Sequence, residues 1–146
     1  MSIEKPDHHD AELALRTYEL RREPLLRDAR RFLVAEFWPK TYADVQALTR
    51  LDHPNNAGYR QATTYWEMVY GIVRHGIVNP GYFLESNGEG LFIFAKLAPF
   101  VDQLRSDTTP RALVNAEWVA TQLPEGRALY DVLSQRVRRL AEARRS

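Results

Sequence analysis

A line of polar side chains runs along one stretch of the chain that is otherwise apolar. Arg60, Thr64, Glu67, Gly71 and Arg74 recur at steps of four, three, four and three residues. On an α-helix this spacing places them on one face, because side chains three or four residues apart lie one above another. The Glu67 carboxylate is seven residues, almost two turns, from each arginine. Either arginine can therefore reach toward it directly or across a bound anion.

This line defines a candidate ligand-binding site made of Arg60, Glu67, Tyr70 and Arg74, with Glu67 at its centre and Tyr70 as a neighbouring wall. Two interpretations are open: a strip that faces solvent, or a partly buried network that lines a cleft. Gly71 costs the helix about 1 kcal/mol relative to alanine, and it leaves room for a ligand or for a second helix. Close helix packing is the more common reason for such a glycine.

Other catalytic and metal-binding patterns are lacking in the sequence. The four histidines, His8, His9, His53 and His75, have no zinc or di-iron spacing, and there is no cysteine. Gly88-Glu89-Gly90 lacks the lysine and the preceding strand of a phosphate loop, so it predicts a turn. We therefore expect no catalytic residues, no metal and no cofactor. Enzymatic activity is not expected, although a reaction in a cleft around Glu67 stays open.

The last helix carries two features that concern partners. Leu129, Leu133, Val137 and Leu140 form a narrow apolar stripe, which is the candidate interface for a homodimer or another protein. The end of the chain is rich in arginine: Arg136, Arg138, Arg139, Arg144 and Arg145. This charge suits a solvated helix end or weak nucleic-acid binding. Because the net charge is only +1, we do not expect nucleic acid as the main partner.

Helices must position all of these residues, because helical periodicity recurs along the chain and strand patterns are nearly absent. The predicted helices cover residues 10–22, 24–37, 41–51, 57–75, 80–85, 91–104, 110–122 and 124 onward. Thr41 with Asp44, Asn79-Pro80 and Thr109-Pro110 are typical helix starts. Pro99 should kink or break its helix. The fold class is all-α, a single compact bundle of about six to eight helices.

Length and composition set the domain organisation and the compartment. A chain of 146 residues is the size of one domain, and we expect a flexible tail over residues 1–9 before a domain over 10–146. The first ten residues have no apolar core of a signal peptide, and no apolar stretch approaches the roughly 20 residues of a membrane span. Together with the absence of cysteine, this predicts a soluble, cytoplasmic protein without a membrane span.

The middle of the chain resembles a family of small bacterial all-helical proteins of unknown function. Three segments carry the resemblance: the aromatic-rich helix 65–78 that ends in a basic residue and glycine, then Tyr82-Phe83, then the proline-containing run 97–101. Residues 56–105 are covered. The resemblance implies a helical fold and supplies no activity.

Three functions follow from these patterns. The first is a non-catalytic protein-interaction or scaffold module that can form a homodimer, because catalytic motifs are lacking and the last helix is amphipathic. The second is a small-molecule-binding or enzymatic cleft centred on Glu67. The third is weak nucleic-acid binding through the arginine-rich end.

Overall fold

A computed structural model describes residues 5–145, and within these residues it contains helices and no strand. In chain order the α-helices are α1 (His8–Arg21), α2 (Pro24–Arg31), α3 (Tyr42–Thr49), α4 (Asn56–Arg74), α5 (Pro80–Ser86), α6 (Glu89–Leu97), α7 (Val101–Asp107), α8 (Val114–Gln122) and α9 (Pro124–Ala143). A π-helix, Phe32–Glu36, extends α2, and a 3₁₀ turn, Ala98–Phe100, joins α6 to α7. The predicted all-α bundle is confirmed.

Most helices begin where the sequence predicts, because the expected capping residues form their hydrogen bonds. The Asp44 carboxylate accepts the Thr41 N–H at 3.2 Å at the start of α3. The Asn79 side chain accepts the Tyr82 N–H at 3.0 Å, with Pro80 as the first residue of α5. Pro99 interrupts its predicted helix as a 3₁₀ turn, as expected from the hydrogen bond that proline removes.

Three helix starts differ from the prediction. Helix α6 begins at Glu89, two residues before the predicted start, so Glu89 and Gly90 are helical and do not belong to the predicted turn. Helix α8 begins at Val114 instead of near Pro110, because the residues after Pro110 form turns and Leu113 adopts a left-handed conformation with φ of 59°. Helix α1 begins at His8, where Asp7 caps it, so it includes residues assigned to the predicted tail. Residues 1–4 of that tail, and residue 146, lie outside the described part of the chain.

The core is built around α4 and α6. Helix α6 is buried from Gly90 to Leu97, as its all-round apolar sequence predicts. Helix α4 packs between α2 and α8, and α9 lies across α5, α6 and α8. Among residues 5–145, none of the helices combines the length and the apolar character needed to cross a bilayer.

A buried lysine joins α6 to the end of the π-helix. Lys96 is only 4% exposed, and its Nζ donates to the carbonyl oxygens of Leu33, Val34 and Phe37 at 2.7–2.8 Å. The same Nζ lies 3.5 Å from the centroid of the Trp38 ring. The ammonium group therefore satisfies carbonyls that a helix end leaves without partners.

A second buried polar group joins α1 to the turn between α5 and α6. The Arg21 guanidinium donates to the Asn87 side chain and to the Ser86 carbonyl, and it lies over the Trp66 ring at 5.5 Å. The Tyr70 hydroxyl donates to the Asn87 carbonyl at 2.9 Å. These contacts fix α1 and α4 to the same turn.

Candidate functional site

A groove of about 600 Å³ runs along α4, on the side that carries Glu67. Its opposite wall is the segment that connects α7 to α8 and the first turn of α8. The lining residues on the α4 side are Thr49, Asn56, Tyr59, Arg60, Thr63, Thr64, Glu67 and Met68, and on the other side Thr108, Thr109, Arg111, Ala112, Leu113, Val114 and Asn115. The groove contains two of the four predicted ligand-binding residues, Arg60 and Glu67.

Glu67 caps the N-terminus of α8. Its two carboxylate oxygens accept the backbone N–H groups of Asn115 at 2.9 Å and Ala116 at 2.8 Å. Leu113, at the N-cap position, has no side-chain oxygen to do this. A carboxylate at a helix N-terminus is favourable because it satisfies free N–H groups and faces the positive end of the helix dipole. Both oxygens of the Glu67 carboxylate are therefore occupied by hydrogen bonds to α8, although the side chain lines the groove.

Gly71 allows α8 to lie close to α4. A Cβ at this position would lie 3.0 Å from Asn115 Nδ2. The same Nδ2 donates to the Glu67 carbonyl at 3.0 Å, so the contact is part of the junction between the two helices. Helix packing, and not a ligand, fills the space that the glycine leaves.

Two arginines line the groove, and neither guanidinium group has an acidic partner in the described part of the chain. Arg60 Nε donates to Asn56 Oδ1 at 2.9 Å, and Asn56 in turn donates to the Leu48 carbonyl. Arg111 is exposed on the opposite wall. Within residues 5–145, neither arginine has a carboxylate oxygen within 4.0 Å. Because Glu67 is bonded to α8, the groove carries positive charge that has no acidic partner among the described residues.

The structure places Tyr70 and Arg74 away from the groove lining. Tyr70 is fully buried, and burial raises the pKa of its hydroxyl well above the usual value. Arg74 donates to Asn115 Oδ1 at 3.1 Å and lies over the Trp118 ring at 5.7 Å. Thus neither Arg60 nor Arg74 pairs with Glu67. Glu67 and Arg74 instead contact residues of α8, so this part of the polar line joins α4 to α8.

The apolar stripe of α9 faces mainly inward. Val137 is 7% exposed and packs with Phe92 and Ala95, while Leu129 and Leu133 are half-buried against the core. Leu140 is 38% exposed. Three of the four predicted interface residues therefore contact the protein's own helices.

The histidines occupy ordinary positions in the fold. His53 Nδ1 accepts the Asn55 N–H at 3.0 Å, His75 follows the last turn of α4, and His8 and His9 are exposed in the first turn of α1. In the part of the chain that the structure describes, no group of three or more metal-ligating side chains is placed to hold an ion.

The second wall of the groove was missed by the sequence reasoning. Residues 108–113 were expected to lie partly within a helix, but they form turns that expose Arg111 and lead to the left-handed Leu113. Thr109-Pro110 predicted a helix start, and the sequence gives no signal that a leucine will adopt a φ of 59°.

The fold and the groove define an all-α domain with a preformed concave surface on its longest buried helix. Over residues 6–123 the chain matches the family described as Domain of unknown function (DUF4760), and it belongs to that family. The match confirms the resemblance to a family of unknown function and extends it beyond residues 56–105. Comparisons with curated proteins and with solved structures give no match.

Proposed function

We propose that this protein is a non-catalytic binding domain that takes a small amphipathic anion in the groove between α4 and residues 108–115. The observation that carries the proposal is the groove itself, whose volume of about 600 Å³ is in the range of small-molecule sites. Such sites combine apolar walls with a few polar groups that orient the ligand.

Apolar walls are supplied by both sides of the groove. Met68 is 51% exposed although it projects from the central helix, and Leu113 and Val114 face the groove from the other wall. Methionine adapts its shape to different ligands because its chain is unbranched and flexible. This surface suits the apolar body of a ligand.

Charge determines which ligand is favoured. Among residues 5–145, Arg60 and Arg111 have no acidic partner. The carboxylate of Glu67, which also lines the groove, is held by two backbone N–H groups. A carboxylate, sulfonate or phosphate on the ligand would accept from these arginines in charge-assisted hydrogen bonds. The commitment of Glu67 to α8 also removes the most obvious general base, which supports binding without catalysis.

Two dyes of nearly the same shape test this proposal. The sulfonate 8-anilinonaphthalene-1-sulfonate and the uncharged N-phenyl-1-naphthylamine are titrated into the protein and followed by fluorescence. We expect the sulfonate to bind more tightly, and the double variant Arg60→Gln, Arg111→Gln to weaken it about fivefold while leaving the uncharged dye unchanged.

The control variant is Arg16→Gln with Arg127→Gln, which removes the same charge from exposed positions outside the groove. Circular dichroism verifies that every variant is folded. Equal binding of the two dyes, or equal weakening by both double variants, would rule out a groove selective for anions.

Self-association remains a second candidate function, now through the part of the apolar surface of α9 that stays exposed. Val132 is 64% exposed and Leu140 38% exposed, and their spacing of eight residues places them on one side of the helix. Substitutions at Leu133 and Val137 would disturb the core, so they are unsuitable as a test. The informative variant is Val132→Glu with Leu140→Glu. Sedimentation equilibrium should show a wild-type dimer that this variant dissociates, and a monomeric wild type would exclude the homodimer.

A further inference from the structure

A second cleft, of about 380 Å³, lies at the end of α9 and is separate from the groove along α4. One wall is formed by Trp38, Pro39 and Lys40, another by the 3₁₀ turn after α6, and the third by the last two turns of α9. Five basic side chains line it: Lys40, Lys96, Arg138, Arg144 and Arg145. Glu36 is the acidic residue among the described lining.

The arginines of this cleft have no acidic partner in the part of the chain that the structure describes. Arg138, Arg144 and Arg145 have no carboxylate oxygen within 4.0 Å among residues 5–145. The Arg144 guanidinium lies over the Trp38 ring, 5.1 Å from its centroid, and the Nζ of Lys96 faces the same ring. The cleft is thus lined by arginine side chains, one of which lies against the indole of Trp38, and Glu36 is the acidic residue among the described lining.

We propose that this cleft binds the phosphate group of a small organic phosphate, with the indole of Trp38 as the apolar wall for the organic part. A phosphate carries up to two negative charges and several acceptor oxygens, which match more than one planar guanidinium group. A monovalent carboxylate would leave most of the cluster's charge uncompensated. The concave shape suits a small molecule, whereas a nucleic-acid backbone follows exposed basic stripes.

The arginines of α9 provide a matched control within the same helix. Arg138 and Arg144 line the cleft, while Arg136 and Arg139 are exposed on α9 and do not. The double variants Arg138→Gln, Arg144→Gln and Arg136→Gln, Arg139→Gln change the net charge equally. Only the first removes groups that can contact a bound phosphate.

Isothermal titration calorimetry with phenyl phosphate, inorganic phosphate and phenol measures binding to the wild type and both variants. Phenyl phosphate should bind more tightly than inorganic phosphate, and phenol should not bind. The Arg138→Gln, Arg144→Gln variant should lose about tenfold in affinity, and the Arg136→Gln, Arg139→Gln variant should stay within about twofold of the wild type. Circular dichroism confirms that both variants are folded.

Three outcomes would overturn the proposal: no binding of phenyl phosphate at low salt, equal loss in both double variants, or tight binding of a DNA duplex without binding of phenyl phosphate. The last result would indicate a nucleic-acid surface. Phenyl phosphate is also a small amphipathic anion that the groove along α4 can take, so the titrations are repeated in the Arg60→Gln, Arg111→Gln background. There the Arg138→Gln, Arg144→Gln substitutions should still lower the affinity about tenfold, so this proposal and the proposed function can fail separately.

Discussion

Two charged side chains, Glu67 and Lys96, cap the ends of neighbouring helices. Glu67 accepts from the free N–H groups at the start of α8, and Lys96 donates to the free carbonyls at the end of the π-helix. Each charge faces the helix end of opposite dipole sign. Both residues come from helices distant in sequence, so each fixes the position of one helix relative to another.

Glu67→Gln should destabilise the protein by about 1–2 kcal/mol. The amide retains one acceptor oxygen, but it loses the charge and presents an NH₂ group to a backbone N–H. Urea denaturation measures the change. Glu85→Gln, at an exposed position on α5, is the control and should have almost no effect. An equal effect of the two substitutions would mean that the cap contributes nothing to stability.

Lys96→Met should cost about 3 kcal/mol, because three buried carbonyls lose their donor. Burial, with a smaller contribution from the nearby positive charge of Arg144, lowers the pKa of Lys96 from 10.5 to about 7. Between pH 7 and pH 10.5 the unfolded chain binds more protons at Lys96 than the folded protein does. The contribution of Lys96 to the free energy of unfolding therefore rises with pH in this interval.

The free energy of unfolding of the wild type should therefore increase relative to that of Lys96→Met as the pH rises from about 7 to 9. Denaturation of both proteins across this interval gives the difference. A constant difference would show that the three carbonyls and the Trp38 ring keep the ammonium group charged in the fold.

Sequence periodicity identified Glu67 and Arg60 as neighbours on a helix face, and both line the groove. It did not reveal that the partners of Glu67 are backbone N–H groups 48 and 49 residues later, because backbone groups are the same in every residue. The role of Lys96 was missed for a similar reason: its acceptors are carbonyls, which have no sequence signal.

At the scale of elements, glycines permit the closest approaches between helices. The closest is at the start of α9, where a Cβ on Gly126 would lie 2.0 Å from the Val119 carbonyl oxygen. This carbonyl oxygen belongs to the backbone, so it cannot move away by a rotamer change as a side-chain atom can. This contact fixes the sharp reversal between α8 and α9.

Gly126→Ala should cost more than about 2 kcal/mol, because α8 and α9 must separate to admit the methyl group. Gly81→Ala is the matched control in α5, where the nearest atom would be 3.7 Å away. That substitution should be neutral or slightly stabilising, since alanine favours helix. Thermal denaturation compares the two, and similar melting temperatures would contradict the proposed tight contact.

Helix existence was predictable from periodicity and capping residues, whereas the use of each apolar face was not. The stripe of α9 is regular, but a stripe shows only which face avoids water. Whether a second copy or the same chain covers that face depends on where α6 and α8 lie. The helix start predicted at Thr109-Pro110 was wrong, because a tertiary contact between Glu67 and α8 sets the start of this helix at Val114.

At the scale of the whole molecule, the helical domain extends one helix beyond the region that matches the family. The match covers residues 6–123, while α9 spans Pro124–Ala143 and packs on α5, α6 and α8. Val137 of α9 covers Phe92 and Ala95 of α6. The last helix is thus part of the core, although it lies outside the matched region.

Truncation after residue 123 should expose this apolar surface and lower the stability strongly. We expect the shortened chain to bind hydrophobic dyes and to lose its cooperative thermal transition, because the face of α6 toward α9 would be open to water. Calorimetry of the full and shortened chains tests this. A shortened chain with an unchanged transition would show that residues 6–123 fold independently of α9.

Because Lys96 is buried, chemical labelling of its amine can report on the opening of the fold. The chain has three lysines, Lys5, Lys40 and Lys96, and the first two are exposed. An amine-reactive reagent should label Lys5 and Lys40 in the native protein but reach Lys96, with its Nζ enclosed by three carbonyls and an indole, only when α6 separates from the π-helix. In a mass spectrum, the labelled fraction of the peptide containing Lys96 would then report how often the core opens.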